Sequence, residues 1–171
     1  IRDSAKSVAE ARVLENTALV LDAARACEIP VIHCTAAFRP DRAGSFDNVP
    51  LVNRLTQNPN HLQVGSPEVE VCPELRPAPS DLESQRLLGI SPFHGTGLDP
   101  LLRSAGATTV VATGVSINVG IIGLTIEALN RGYHVICEKP MAMHQDEADE
   151  MIQAAEANNR HLFIHQNYRF Q

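Results

Sequence analysis

Apolar positions along the chain follow two rhythms, and the sharpest change between them falls within Thr108 to Ile136. Thr108-Thr109-Val110-Val111-Ala112 is an apolar, β-branched run that predicts a buried strand. Beyond a turn at Thr113-Gly114, Ile122, Ile126 and Leu129 recur at spacings of four and three, which predicts a helix. Asn130-Arg131-Gly132 closes that helix with a basic residue and a glycine, and Tyr133-His134-Val135-Ile136 opens the next strand. A strand–loop–helix–strand unit of this kind belongs to a parallel sheet. Ligands of such sheets sit beyond the carboxyl ends of the strands, so the loop from Gly114 to Gly120 is the first candidate site.

The same rhythms read along the rest of the chain. Ser4 to Ala26 is helical, with Leu14, Ala18, Leu21 and Ala24 on the apolar face, and Glu28-Ile29-Pro30 ends it. Val31 to Thr35 is a short buried strand. Residues 36 to 61, rich in Pro, Asn, Asp, Gly and Arg, read as a long weakly structured stretch of the kind used for lids or oligomer contacts. A short strand is possible at His61 to Val64, and the four prolines of Pro67 to Pro79 predict irregular chain. Leu82 to Leu87 fits either a strand or one helical turn. Asp99-Pro100 predicts an N-cap with proline at the first helical position, for a helix that closes at Gly106. A helix follows at Asp146 to Asn158, with Ala148, Met151, Ile152 and Ala155 inward, and a strand at His161 to His165. The sum is a three-layer α/β/α domain over residues 1–171, with a mainly parallel, Rossmann-like sheet.

Composition narrows the functional classes. With 171 residues, 44% of them apolar, the chain can bury one α/β core. A net charge of −6 and the lack of a basic cluster argue against nucleic acid or an anionic membrane as partner. No apolar run reaches the roughly 18 residues of a membrane-spanning helix. Cys27, Cys34, Cys72 and Cys137 are scattered without a CxxC pair, which predicts reduced thiols in a cytoplasmic protein. The seven histidines lack metal-ligand spacing, so no metal site is expected. The chain opens at Ile1 directly in a helical pattern, which predicts a sheet incomplete at its N-terminal side.

Three segments, in order and spacing, resemble the isochorismatase-like cysteine hydrolases. They are Leu21-Asp22-Ala23-Ala24-Arg25 running into Ile29-Pro30-Val31-Ile32-His33, then Ser91-Pro92-Phe93-His94-Gly95-Thr96-Gly97-Leu98-Asp99, then Thr113-Gly114-Val115-Ser116-Ile117-Asn118-Val119. The resemblance spans about residues 12–136. It implies amide or vinyl-ether hydrolysis, no cofactor, a small-molecule ligand and assembly as a homo-oligomer. It also implies a thiolate nucleophile at a helix N-terminus, a lysine that stabilises charge, and an aspartate base on the first strand. A nearby cation and helix amides lower a thiol pKa and cradle an oxyanion.

The chain departs from that pattern at each position. Gly120 stands at the nucleophile position, two after Asn118. The lysine position falls at Arg86 or Leu87, and the aspartate strand would precede Ile1. The expectation is an impaired hydrolase domain with Arg86, Asn118 and Gly120 at the catalytic positions. Phe93, His94, Gly114, Val115 and Ser116 would line the pocket, with a cis peptide at Val115-Ser116. Arg86 reads as a carboxylate anchor or as a solvated or structurally paired arginine. His94 reads as a turn histidine bonded to backbone or as a residue of the pocket mouth. Ser116 has no sequence-adjacent base to activate it.

The last segment resembles a different family. His134-Val135-Ile136-Cys137-Glu138-Lys139-Pro140-Met141-Ala142-Met143, with Glu147 to Ile152 and His165 to Phe170, is similar to the end of the Rossmann domain of Gfo/Idh/MocA oxidoreductases. That likeness implies NAD(P), with Glu138, Lys139 and Pro140 beside the nicotinamide. The glycine-rich GxGxxG turn and its downstream acid are missing from the chain. The alternative function is therefore a fragment of an NAD(P)-dependent oxidoreductase, or a chimera without activity. A join near residues 130–137 could be designed, natural or an assembly error.

Overall fold

A computed structural model describes residues 12–45, 50–75 and 77–165. The part of the expected first helix before residue 12 and the terminal residues 166–171 lie outside the described residues, as do the side chains of Ile117 and Asn118. The chain divides into two compact units, Ile1–Gly89 and Ile90–Gln171.

In the first unit, helix α1 spans Val13–Ala26. Thr17 and Leu21 are its buried positions, with Leu14, Ala18 and Ala24 half-buried beside them, so the expected stripe is inward. Strand β1 (Ile32–Ala36) pairs in parallel with β2 (Leu82–Arg86), Ile32 opposite Leu82 and Ala36 opposite Arg86. The segment at Leu82 is thus a strand. The stretch after β1 carries a helix the residues do not announce, α2 (Pro50–Thr56), with Val52 inward. Its opening proline suits a first helical position, but Pro, Asn and Arg around it mask the signal. The expected strand at His61 reduces to one bridge, Phe38 to Gln63. Arg42 explains why: its Nη2 donates to the carbonyls of Asn58, Pro59 and His61, at 3.0, 2.6 and 3.2 Å, and stitches this loop shut. Single 3-10 turns at Pro67–Val69 and Pro73–Leu75 fill the proline-rich stretch.

A buried carboxylate ties the amino end of this sheet. Asp81, its side chain 1% exposed, accepts from Arg25 Nη2 at 2.6 Å, lies 3.0 Å from His33 Nε2, and caps the Ala78 amide at 2.9 Å. The Arg25 guanidinium holds the Asp81 carboxyl well below the usual carboxylate range.

The second unit opens with α3 (Leu98–Ser104). Asp99 lies in its first turn, not at its cap; the Thr96 hydroxyl accepts from the Leu98 amide at 3.2 Å instead. Asp99 is engaged elsewhere, accepting from the Tyr133 hydroxyl at 2.8 Å. Strands β3 (Thr109–Ala112), β4 (His134–Glu138) and β5 (Leu162–His165) form one parallel sheet with β4 central. Helix α4 (Ile122–Asn130) joins β3 to β4, and α5 (Gln145–Ala157) joins β4 to β5. The buried face of α4 is Leu124, Thr125, Ala128 and Leu129, so Ile122 and Ile126 sit on the flank, not at the centre. On α5, Met151, Ala154 and Ala155 are buried, whereas Ile152 is exposed. Leu129, Val135 and Met151 reach 0% exposure and form the centre of this core. Each such side chain contributes about 1.5–3 kcal/mol by leaving water.

Candidate active site

The candidate loop begins where β3 ends. Gly114 takes φ +121°, a conformation that a side chain would strain, and the peptide from Val115 to Ser116 is cis, as the hydrolase resemblance implies. Val115 is 70% exposed, so this turn faces outward. Residues Ile117–Ile121 then form a π turn that runs into α4. The amides of Val119 and Ile121 both donate to the Ser116 carbonyl, at 3.3 and 3.1 Å. Those two donors are therefore committed to closing the turn.

Gly120 lies in this turn. Its φ is outside the left-handed region, and a Cβ there would meet only the Val115 carbonyl oxygen, at 3.7 Å. Neither conformation nor space demands a glycine. The side chain of Asn118 is outside the described residues.

The Ser91–Asp99 loop is fixed against α4. Gly123 lets the helix approach: a Cβ on it would stand 3.3 Å from the Ser91 Cβ. Ser91 is 3% and Phe93 7% exposed. Arg131 covers the Phe93 ring, its guanidinium carbon 4.5 Å from the centroid, and pairs with Glu127 at 2.6 Å. The His94 imidazole also goes to Glu127, 3.0 Å from Oε1, where a backbone partner was expected. The structure thus brings Phe93 and His94 together through Glu127 and Arg131, two helix residues the sequence motifs did not flag. Their i, i+4 spacing, acid before base, was the available signal.

Arg86 lies in the first unit, at the carboxyl end of β2. No hydrogen-bond or ion-pair partner occupies its guanidinium among the described residues. Burial lowers its pKa, though a guanidinium remains charged. A cavity of about 730 Å³ in the same unit is lined by Ser66, Glu70, Glu83 and Gln85, not by Arg86, and so is separate from the family-motif position.

Cys34 and Cys137 are poor substitutes for the nucleophile. Burial pushes the Cys34 thiol up to about 11, and burial also raises the thiol of Cys137, a core residue 1% exposed. Among the described residues, no three His, Cys, Asp or Glu side chains converge to hold a metal.

The isochorismatase domain model matches residues 3–139, most of the chain. The chain belongs to the isochorismatase family. Solved structures agree on the fold. A cysteine hydrolase from Pseudomonas syringae pv. phaseolicola superposes with TM-score 0.70 at 24% identity, over 90% of this chain and 76% of that one. A pyrazinamidase of Pyrococcus horikoshii, solved in complex with zinc, gives 0.66 at 17% identity, over 91% of this chain and 85% of that one. A second family model, the oxidoreductase family with an NAD-binding Rossmann fold, matches residues 117–166. In line with it, an uncharacterized oxidoreductase of Schizosaccharomyces pombe is 38% identical over 76 residues, 44% of this chain. The matched part spans only about a fifth, 20%, of that curated relative.

The second likeness raises the question of a dinucleotide. Glu138 Oε1 accepts from the Lys139 amide at 3.1 Å, and the Lys139-Pro140 peptide is cis. The glycine-rich turn that would hold a pyrophosphate is missing from the chain, and the Val119 and Ile121 amides of the turn between β3 and α4 are spent on Ser116. The residues present do not fit NAD(P).

Proposed function

We propose that this chain is an isochorismatase-family domain that keeps a small-molecule site but has lost covalent hydrolysis. One observation carries the reading: Gly120 occupies an unobstructed, side-chain-tolerant place in the turn where the family resemblance requires a thiol. Acyl transfer through a thioester needs a thiolate held against amide donors. The raised pKa values of Cys34 and Cys137 support the same conclusion. The ligand would be small, and the domain would act as a homo-oligomer in the cytoplasm.

The test is hydrolysis of simple amides and of isochorismate, with mass spectrometry for a covalently modified cysteine. The expected result is no turnover above a buffer control. Robust turnover with a labelled cysteine overturns the reading. The oxidoreductase likeness of residues 117–166 motivates a second reading, an NAD(P)-binding fragment. Calorimetric titration with NADH separates the two. We expect no affinity tighter than millimolar, and a micromolar constant would favour the second.

A further inference from the structure

The two faces of the β1–β2 sheet are chemically opposite. Side chains alternate along a strand, so odd-numbered residues share one face and even-numbered residues the other. The odd face holds the carboxylates with their partners: Asp81 with Arg25 and His33, and Glu83 accepting from the Thr35 hydroxyl at 3.2 Å. The even face consists of Ile32, Cys34, Ala36, Leu82, Ser84 and Arg86. Its one charge is the Arg86 guanidinium.

Two donors on that face have nothing to donate to. Ser84 is 6% exposed, and its Oγ has no hydrogen-bond partner among the described residues. Arg86 is half-buried and likewise lacks an acceptor among them. The neighbour that could answer it is Cys34, but a thiol whose pKa is not lowered is neutral near pH 7. A desolvated cation without an anion is costly. The position, at the carboxyl end of a parallel strand, is where this class of sheet binds ligands. A guanidinium fork matches the two oxygens of a carboxylate bidentately.

We infer that the ligand of this domain carries a carboxylate, and that Arg86, on the otherwise uncharged face of β1–β2, is the group that binds it. This rests on the reading that the domain retains a small-molecule site. It adds the ligand's chemical class.

Benzoate and benzamide test it, being alike in shape and different in charge. Calorimetry on the full chain at low salt should give benzoate binding at least tenfold tighter than benzamide. Arg86→Gln should lose that preference, and Arg86→Lys, which keeps the charge without the fork, should retain part of it. Thermal melts of both variants confirm folding. As a local reporter, bound benzoate should slow alkylation of Cys34 and leave Cys27, equally exposed but at the end of α1, unaffected, read by peptide mass spectrometry. Equal binding of the two compounds, or an unchanged benzoate affinity in folded Arg86→Gln, overturns the inference. If wild type binds neither at millimolar concentration, the retained-site reading falls and takes this one with it. Hydrolytic turnover with the benzoate preference intact removes the loss of catalysis and leaves the carboxylate site standing.

Discussion

Substituting Gly120 isolates what that glycine does. A Cβ at this position touches only the Val115 carbonyl oxygen, at the ordinary contact distance of 3.7 Å, and the backbone is not left-handed. No steric penalty offsets the helix-propensity gain. Glycine costs about 0.8–1 kcal/mol relative to alanine in a helix interior, and cysteine up to about 0.7. Gly120→Ala should therefore stabilise by about 0.5–1 kcal/mol, and Gly120→Cys should stay within about 0.5 kcal/mol of the parent. Urea unfolding reads both as shifts in midpoint at constant slope. The new thiol would sit in the first turn leading into α4, where helix amides favour the thiolate and keep its pKa at or below about 8.5. Cys34 stands at about 11. At pH 7.5 the new thiol should carry more thiolate than Cys34 and alkylate faster, by less than the thiolate ratio because a lower-pKa thiolate is the weaker nucleophile. Hydrolysis should still be absent, because Arg86, where the family resemblance implies a lysine, keeps the charge without the lysine's geometry. A loss of more than about 1 kcal/mol in Gly120→Ala would show that the glycine is structurally required. Alkylation as slow as that of Cys34 would refute the helix-terminus geometry, and turnover in the single variant would end the case for lost catalysis.

Other perturbations test the surrounding structure. Asp81→Ala should cost about 3 kcal/mol in urea unfolding: buried ion pairs lose about 3–5 kcal/mol when one partner goes, and the partly exposed Arg25 can rehydrate. The depressed pKa of Asp81 gives stability that is present above its unfolded value near 3.8 and lost as pH falls toward the folded value. Wild-type stability should thus drop below about pH 4, and Asp81→Asn should flatten that drop; an unchanged profile would remove Asp81 from the account. Gly123→Val should destabilise by about 1–3 kcal/mol, because a Cβ already stands 3.3 Å from Ser91 Cβ; a neutral result would disprove the close approach of loop and helix. Met151→Ala, at 0% exposure, should cost about 2–5 kcal/mol, and less than about 1 kcal/mol would mean that α5 is not part of the core.

Much of the scaffold could be read from residue patterns because burial repeats with the period of each element. Thr109–Ala112, Ile122–Asn130 and Gln145–Ala157 all lie within a residue or two of expectation, apart from the π turn ahead of α4. The readings that failed depended on partners distant in sequence. Nothing local says that Arg42 will bond the carbonyls of Asn58, Pro59 and His61 at the start of the segment expected as a strand, His61 to Val64. Nothing local says that Asp99 will serve Tyr133 and leave capping to Thr96. The Asp81 cluster escaped notice because Arg25 and Asp81 are 56 residues apart. At the candidate site the motif located the turn and its cis peptide. It could not tell that the Val119 and Ile121 amides close on Ser116, or that His94 prefers Glu127 to backbone.

The two family models overlap at residues 117–139, the helix–strand unit they share. The segment beyond it is bound into the same core by side chains from both sides of the proposed join. Asn158 Nδ2 donates to Asn130 Oδ1 at 2.9 Å, and Arg160 Nε donates to the Gly132 carbonyl at 2.5 Å. The His161 amide donates to His134 Nδ1 at 2.9 Å, with the two imidazole rings stacked at 4.9 Å. Beneath this polar seam, Met151 shares full burial with Leu129 and Val135. The hydrolase folds superpose on about 90% of the chain, more than residues 1–139 alone supply, so part of this tail occupies hydrolase-like positions. A parallel sheet asks little of the unit that extends it: an apolar helix face, a strand of matching register and donors for the carbonyls left at the preceding turn. Residues 140–165 meet those demands whichever family supplied them. Their oxidoreductase likeness then reflects an architectural role, in which α5 and β5 extend the sheet on β4.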